Sequence, residues 1–164
     1  MTIPFYKYQG TGNDFVIIDN RNGLFPKDNH SMIAKICDRR FGIGADGLLL
    51  LESHRKVDFT MVYYNADGKL GSMCGNGGRC IVHFAKYLNI IDENTVFEAV
   101  DGLHEAYINN EIVSLKMNDV DTMKVTANSV FLNTGSPHHV EMVEDLKNYN
   151  VAEKGAFIRN NTYG

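Results

Sequence analysis

Clusters of basic residues are absent from this sequence, whose formal net charge is −4. Neither nucleic acid nor an anionic membrane surface has anything to attract it, so both are excluded as partners. No apolar run approaches the roughly 20 residues of a membrane-spanning helix. The opening stretch Met1-Thr2-Ile3-Pro4-Phe5-Tyr6 does not pair a charged segment with an apolar one, as a secretory signal does. Cysteine is scarce. Three of them, an odd number without framework spacing, argue against a disulfide scaffold and for a reducing, cytoplasmic setting in which a thiol stays reactive. Cys74 and Cys80 stand too far apart for a C-x-x-C redox or zinc pair, and no metal is expected. What remains is globular: 164 residues, 44% of them hydrophobic, bury one sizeable core or the better part of two small ones.

The most informative stretch is Cys74-Gly75-Asn76-Gly77-Gly78-Arg79-Cys80, directly before the apolar, helix-patterned run Ile81 to Leu88. A glycine-rich turn that opens a helix aims several free backbone N–H groups at one spot, and the helix dipole adds partial positive charge there. A cysteine so placed has its thiolate favoured over its thiol. The same amides can hold a substrate carboxylate beside the sulfur, which suits chemistry at the α-carbon of an amino or carboxylic acid. The competing reading is a buried, inert cysteine in an interior glycine turn. Cys80 and Cys37, each within an apolar helical pattern, are expected in the core.

Along the chain, Ile3 to Tyr8 and Phe15 to Asp19 read as strands around the polar turn Gln9 to Asp14. Asp28 or Asn29 caps a helix with apolar positions Met32, Ile33, Ile36 and Cys37, ending near Gly42. Strands follow at Leu48 to Leu51 and Val57 to Tyr64, then the cysteine loop and a helix from Gly77 to about Asn89. Three strands, Val96 to Val100, His104 to Ile108 and Ile112 to Met117, are joined by hairpin signals at Asp101-Gly102 and Asn109-Asn110-Glu111. This pattern predicts an α+β unit, an antiparallel sheet wrapped around a central helix, over residues 1–118. Asp119 to Asn128 reads as a linker, Val130 to Asn133 as a strand, Thr134 to His139 as a turn, and Val140 to Leu146 as the start of another element. Residues 119–164 are expected to begin a second unit that is incomplete, since about forty residues rarely fold alone.

Four segments, Gln9-Gly10-Thr11-Gly12-Asn13-Asp14-Phe15, Gly42-Ile43-Gly44-Ala45-Asp46-Gly47, Tyr64-Asn65-Ala66-Asp67-Gly68 and the cysteine heptad, resemble the diaminopimelate epimerase family in order and spacing. The resemblance implies a cofactor-independent isomerase of two pseudo-symmetric halves, a homodimer when full length, interconverting LL- and meso-diaminopimelate for lysine and peptidoglycan synthesis. Two cysteines on opposite faces of the α-carbon act there as base and acid. Residue by residue, Cys74 matches the first catalytic cysteine. Gly75 and Asn76 match the amides that hold the reacting carboxylate, Asn13 and Asn65 match side chains that grip substrate, and His138 matches a histidine that tunes the thiols. For Asn13 and Asn65 simple turn formation is the alternative; for His138 it is an ordinary surface histidine.

Two positions depart from the family pattern: Gly47 stands where many relatives have glutamine, and Ser136 where many have asparagine. The second catalytic cysteine, its Glu-Arg pair and the second glycine-rich helix start have no match, so the chain is expected to be inactive alone. The competing functions are another isomerase of the same fold, proline racemase-like or phenazine-biosynthesis-like, and a non-catalytic carboxylate-binding remnant.

Overall fold

The computed structural model describes residues 2–163. Among them the chain forms ten strands and three helices: β1 Tyr6–Gly10, β2 Asn13–Asp19, α1 His30–Cys37, β3 Gly47–Glu52, β4 Phe59–Asn65, α2 Gly75–Tyr87, β5 Asn94–Ala99, β6 Gly102–Asn109, β7 Ile112–Leu115, β8 Met123–Val125, β9 Ser129–Asn133, β10 Pro137–Glu141 and α3 Val151–Asn161. Strands β1 to β7 make one sheet in sequence order, and β10-β9-β8 make a second.

The larger sheet is mixed, which corrects the expectation of an antiparallel one. β2 and β3 run parallel, with Phe15 opposite Gly47 and Asp19 opposite Leu51, and β4 and β5 are parallel at Phe59–Phe97. Parallel neighbours need a crossover rather than a hairpin, and α1 and α2 lie within those two connections. The other pairs are antiparallel.

Covering both faces of the middle strands explains their composition. In β2 and β3 the residues Phe15, Ile17, Leu49 and Leu51 face α2 with Ile81, Phe84 and Ala85. The alternate residues Val16, Ile18, Leu48 and Leu50 pack with Phe25, Ile33 and Cys37 on the α1 side. Strands buried on both faces need apolar residues at every position, hence the unbroken Phe-Val-Ile-Ile and Leu-Leu-Leu-Leu runs. β6 buries one face only, through His104, Ala106 and Ile108, and alternates accordingly.

Helix α2 is the centre of the unit. The sheet curls far enough that both β1 and β7, its opposite edges, touch it. Cys80, Ile81, Val82, Phe84 and Ala85 are buried, as their pattern predicts. Gly78 permits the closest approach: a Cβ there would lie 2.8 Å from Leu115 Cδ2. Helix α1 is capped as expected by Asn29, which accepts the Met32 N–H, but it stops at Cys37 rather than near Gly42. Asp38 Oδ1 takes the Arg40 and Phe41 N–H groups and turns the chain out of the helix.

Beyond β7 the sequence-based reading is less complete. β8 lies within the expected linker, and β10 begins at Pro137 inside the expected turn, leaving Thr134 to Ser136 as the connection. The element expected at Val140 to Leu146 is only the end of β10. Helix α3, unread in the sequence, has Asn150 as its cap and no buried residue. No described helix is long and apolar enough to cross a membrane.

Candidate active site

The start of β2, the start of β3, the end of β4 and the N-terminus of α2 lie at one end of the large sheet, since Phe15, Gly47 and Asn65 sit in one cross-strand row. Cys74 is the cap of α2. Its backbone is extended and its Sγ accepts the Gly77 N–H at 3.4 Å. That place is usually held by an oxygen-bearing side chain, so the sulfur occupies the position where a helix terminus favours negative charge. The N–H groups of Gly75 and Asn76 have no acceptor inside the helix, as in any first turn. Cys74 is half-buried, whereas Cys37 and Cys80 are buried, as expected for core residues. Burial pushes the thiols of both Cys37 and Cys80 up to about 11.

Asn13 stands next to the sulfur. Residues Gly10 and Asn13 pair across the two-residue turn Thr11-Gly12, and both turn residues have positive φ, 55° and 85°. This is the backbone of a tight hairpin turn whose twist matches the flanking strands. A β-branched residue is strained there, and such strain concentrates at functional sites. Asn13 Oδ1 accepts the Cys74 thiol at 3.6 Å and, at a long 3.5 Å, the Asn76 side-chain amide.

Behind Asn13 lies a charge network that sequence reading missed. Asn13 Nδ2 donates to Asp46 Oδ2 at 2.9 Å, and the Asp14 N–H donates to the same oxygen. Arg39 Nη2 bridges Asp14 Oδ1 at 2.7 Å and Asp46 Oδ1 at 2.8 Å. Lys7 Nζ pairs with Asp14 Oδ2 at 2.7 Å and also donates to the Gly44 carbonyl. The Arg39 guanidinium, aided by Lys7, holds the Asp14 carboxyl well below its ordinary range. The Asn13 amide, with the Asp14 N–H and Arg39, lowers that of Asp46. Two aspartates in turn-like glycine loops with arginines between them were the available signal.

The other expected site residues are placed less directly. Asn65 ends β4, exposed, with its N–H on the Lys69 carbonyl and its own carbonyl taking the Gly68 N–H. Among the described residues its side chain makes no hydrogen bond to the Cys74 group. His138 is exposed and its Nδ1 donates to the Ser136 carbonyl at 2.7 Å. No hydrogen bond among the described residues joins it to Cys74. Its turn is nevertheless docked on the cysteine loop: Met73 N–H donates to the Gly135 carbonyl at 3.1 Å, and the Ser72 and Ser136 hydroxyls are 2.9 Å apart. Gly135 has φ 93°, and a Cβ on it would stand 2.2 Å from Asp101 Oδ2. Asp101 is fixed in turn by buried His104, 2.8 Å away.

The two departures from the family pattern have physical counterparts. Ser136 spends its hydroxyl on Ser72. At Gly47 a Cβ would lie 2.5 Å from Tyr63 Cε2, and at Gly71 one would lie 2.3 Å from Tyr63 Cδ1, so the Tyr63 ring fills the space a longer side chain needs. Burial pushes the Tyr63 hydroxyl up to about 12. Among the described residues no cluster of three or more His, Cys, Asp or Glu is arranged to hold a metal ion. The arrangement offers one half-exposed thiol, a helix terminus for an anion and fixed amides beside both.

Comparison with known proteins resolves which branch of the fold this is. A crystal structure of the Bacillus anthracis phenazine biosynthesis protein of the PhzF family superposes with TM-score 0.63 over 87% of this chain and 55% of its own, at 16% identity, a likeness of fold alone. The diaminopimelate epimerase of Flavobacterium psychrophilum is 60% identical over 158 residues, 96% of this chain and 62% of that protein. That of Chlorobaculum tepidum is 44% identical over 160 residues, 93% of this chain and 62% of that protein. The chain thus spans about 62% of the length of these curated relatives. The family model described as diaminopimelate epimerase matches residues 5–122, and with 60% identity over nearly the whole chain to a named member, the chain belongs to the diaminopimelate epimerase family.

Proposed function

We propose that this chain carries the Cys74 part of a cofactor-independent epimerase that interconverts LL- and meso-2,6-diaminopimelate, with Cys74 as one of two thiol acid/base groups. The observation that carries the reading is the sulfur of Cys74 at the α2 cap, between the Gly77 N–H and Asn13 Oδ1. An α-proton is a very weak acid, and its removal leaves an electron pair that moves onto the adjacent carboxylate. The N–H groups of Gly75 and Asn76 and the α2 dipole lie where that charge develops, and preorganised donors of this kind contribute most to lowering such a barrier. Asn13 and Asn65, at the same end of the sheet, hold the polar groups of the substrate. His138 reaches the cysteine loop through the docked Gly135–Ser136 turn and adjusts the thiol from there. A thiolate on one face takes the α-proton while a thiol on the other gives one, and positioned acids and bases typically add about 10²–10⁴-fold.

The same reading divides the chain into residues 1–118, an epimerase half, and 119–164, the start of a pseudo-symmetric second half, within a cytoplasmic homodimer. Family membership supports both statements. The buried positions of Cys37 and Cys80, against the half-buried Cys74, support Cys74 as the working thiol of these residues. One thiol can remove and return a proton on one face only. The purified 164-residue chain, given one stereoisomer of diaminopimelate in deuterium oxide, is therefore expected to introduce deuterium at the α-carbon without producing the other stereoisomer. Cys74→Ala abolishes the exchange. Exchange that survives Cys74→Ala would sink the assignment, and inversion by this chain alone would refute the need for a second thiol.

A further inference from the structure

The orientation of one amide decides what Cys74 meets. Asp46 pairs with Arg39 at 2.8 Å and takes the Asp14 N–H, and a carboxylate so engaged offers only acceptors, so the Asn13 group 2.9 Å from its Oδ2 is the NH₂. The carbonyl of the same amide then faces the sulfur, 3.6 Å from Sγ. An oxygen acceptor stabilises S–H and opposes S⁻, the reverse of the Gly77 N–H on the other side. Helix-terminus chemistry alone describes only half of this environment.

We propose that Asp46 is a positioning residue: by taking the Asn13 N–H it turns the Asn13 carbonyl toward Cys74 and keeps the proton on that sulfur in the absence of substrate. The inference deepens the proposed function and rests on it for the role of Cys74. It assigns Cys74 as the resting acid, so that the exchange expected of this chain alone runs through the minor fraction of Cys74 thiolate. In the first half-reaction the opposing thiolate forms its S–H bond as the α-C–H bond breaks and the electron pair passes to the carboxylate. The Cys74 S–H then delivers its proton to the opposite face and leaves a thiolate. Asp14, Arg39 and Lys7 act one step further back, by fixing the Asp46 carboxylate.

The groups around the sulfur are few. Tyr63 of β4 and Cys80 of α2 are held neutral by burial. Arg79 of α2 is charged throughout and donates to the Gly75 carbonyl at 2.9 Å. His138 lies on the docked turn and is common to every variant below. Asp46 itself stands behind Asn13, and its charge is the rival explanation for any effect.

The test is the iodoacetamide reaction of Cys74 across pH, read by peptide mapping, so it needs no turnover and stands apart from the fate of the epimerase reading. Asp46→Ala releases the amide, and the profile is expected to move to lower pH, with a rate on its rising limb about threefold to tenfold higher. Asn13→Ala moves it the same way. In the Asn13→Ala background Asp46→Ala adds nothing, because its effect runs through the amide. An undiminished effect in that background would assign it to the Asp46 charge and overturn the proposal, as would an unmoved profile with Cys37 and Cys80 still protected. Where Asp46→Ala fails to fold, the wild-type chain decides by nuclear magnetic resonance: the Asn13 NH₂ protons are expected to show contacts to the Asp14 N–H. Contacts to the Cys74 β-protons instead would overturn the assignment.

Discussion

Cys74, Cys37 and Cys80 carry the same functional group in three environments, and those environments order their reactivity. Burial pushes Cys37 and Cys80 up to about 11, so both remain thiols at pH 7–9, and their neighbours exclude a reagent. Cys74 is half-buried at a helix terminus. Iodoacetamide at pH 8 on the folded chain is therefore expected to label Cys74 at least about tenfold faster than either of the others. Preferential labelling of Cys80 in a folded sample would return Cys74 to the status of a structural cysteine. At this scale the sequence was readable where chemistry is local. The cysteine heptad, the turn between Gln9 and Asp14, which the structure narrows to Thr11-Gly12, and the core positions of Cys37 and Cys80 all depend on near neighbours. Asp46 was not readable, because its bond to Asn13 closes across 33 positions and nothing in Gly44-Ala45-Asp46-Gly47 distinguishes it from a turn. The place of His138 was open for the same reason: its docking runs through Gly135 and Ser136 onto Met73 and Ser72.

Elements divide in the same way. Helix α2 announces itself by the apolar Ile81, Val82, Phe84, Ala85 and Leu88, and the strands β2 and β3 by apolar runs too continuous for a one-sided sheet. Their parallel pairing was hidden, since direction depends on which end of the sheet the chain returns to after α1. Helix α3 was hidden for a different reason. Its residues Val151–Asn161 include Gly155 and present no consistent apolar stripe. Its one local signal is the cap, where Asn150 takes the Glu153 N–H and donates to the Glu153 carboxylate. The contrast between the two helices is measurable. Phe84 of α2 is fully buried and packed against the rings of Tyr6, Tyr8 and Tyr87, so Phe84→Ala is expected to cost about 3–5 kcal/mol in denaturant unfolding. Phe157 of α3 is 58% exposed, and Phe157→Ala is expected to cost under about 0.5 kcal/mol. Equal costs would mean that α3 is packed far more tightly than its exposure says.

At the scale of the whole molecule, stability and chemistry are concentrated in the same place. The residues with no exposed surface, among them Phe15, Leu49, Ile81, Phe84 and Phe97, all belong to the large sheet and the two helices packed on it. The smaller sheet has no fully buried strand residue, and every residue of β8 is exposed. Cys74, the proposed acid/base thiol, is thus mounted on the best-anchored helix, which is where a site that must hold donors within a fraction of an ångström belongs. The docked Gly135 turn is carried by the weakly buried part. Local opening follows buried contact, so different segments should open at different free energies. In native-state hydrogen exchange the amides of α2, β2 and β3 are expected to exchange only through global unfolding. Those of α3 and β8 are expected to exchange through local opening at least about a hundredfold faster, with β9 and β10 between. Replacing Gly135 by alanine, which drives a Cβ into Asp101, should accelerate exchange in β9 and β10 and leave α2 unchanged. Uniform protection from α2 to α3 would show instead that the two sheets unfold as one cooperative body, and the division at residue 118 would then have no energetic meaning.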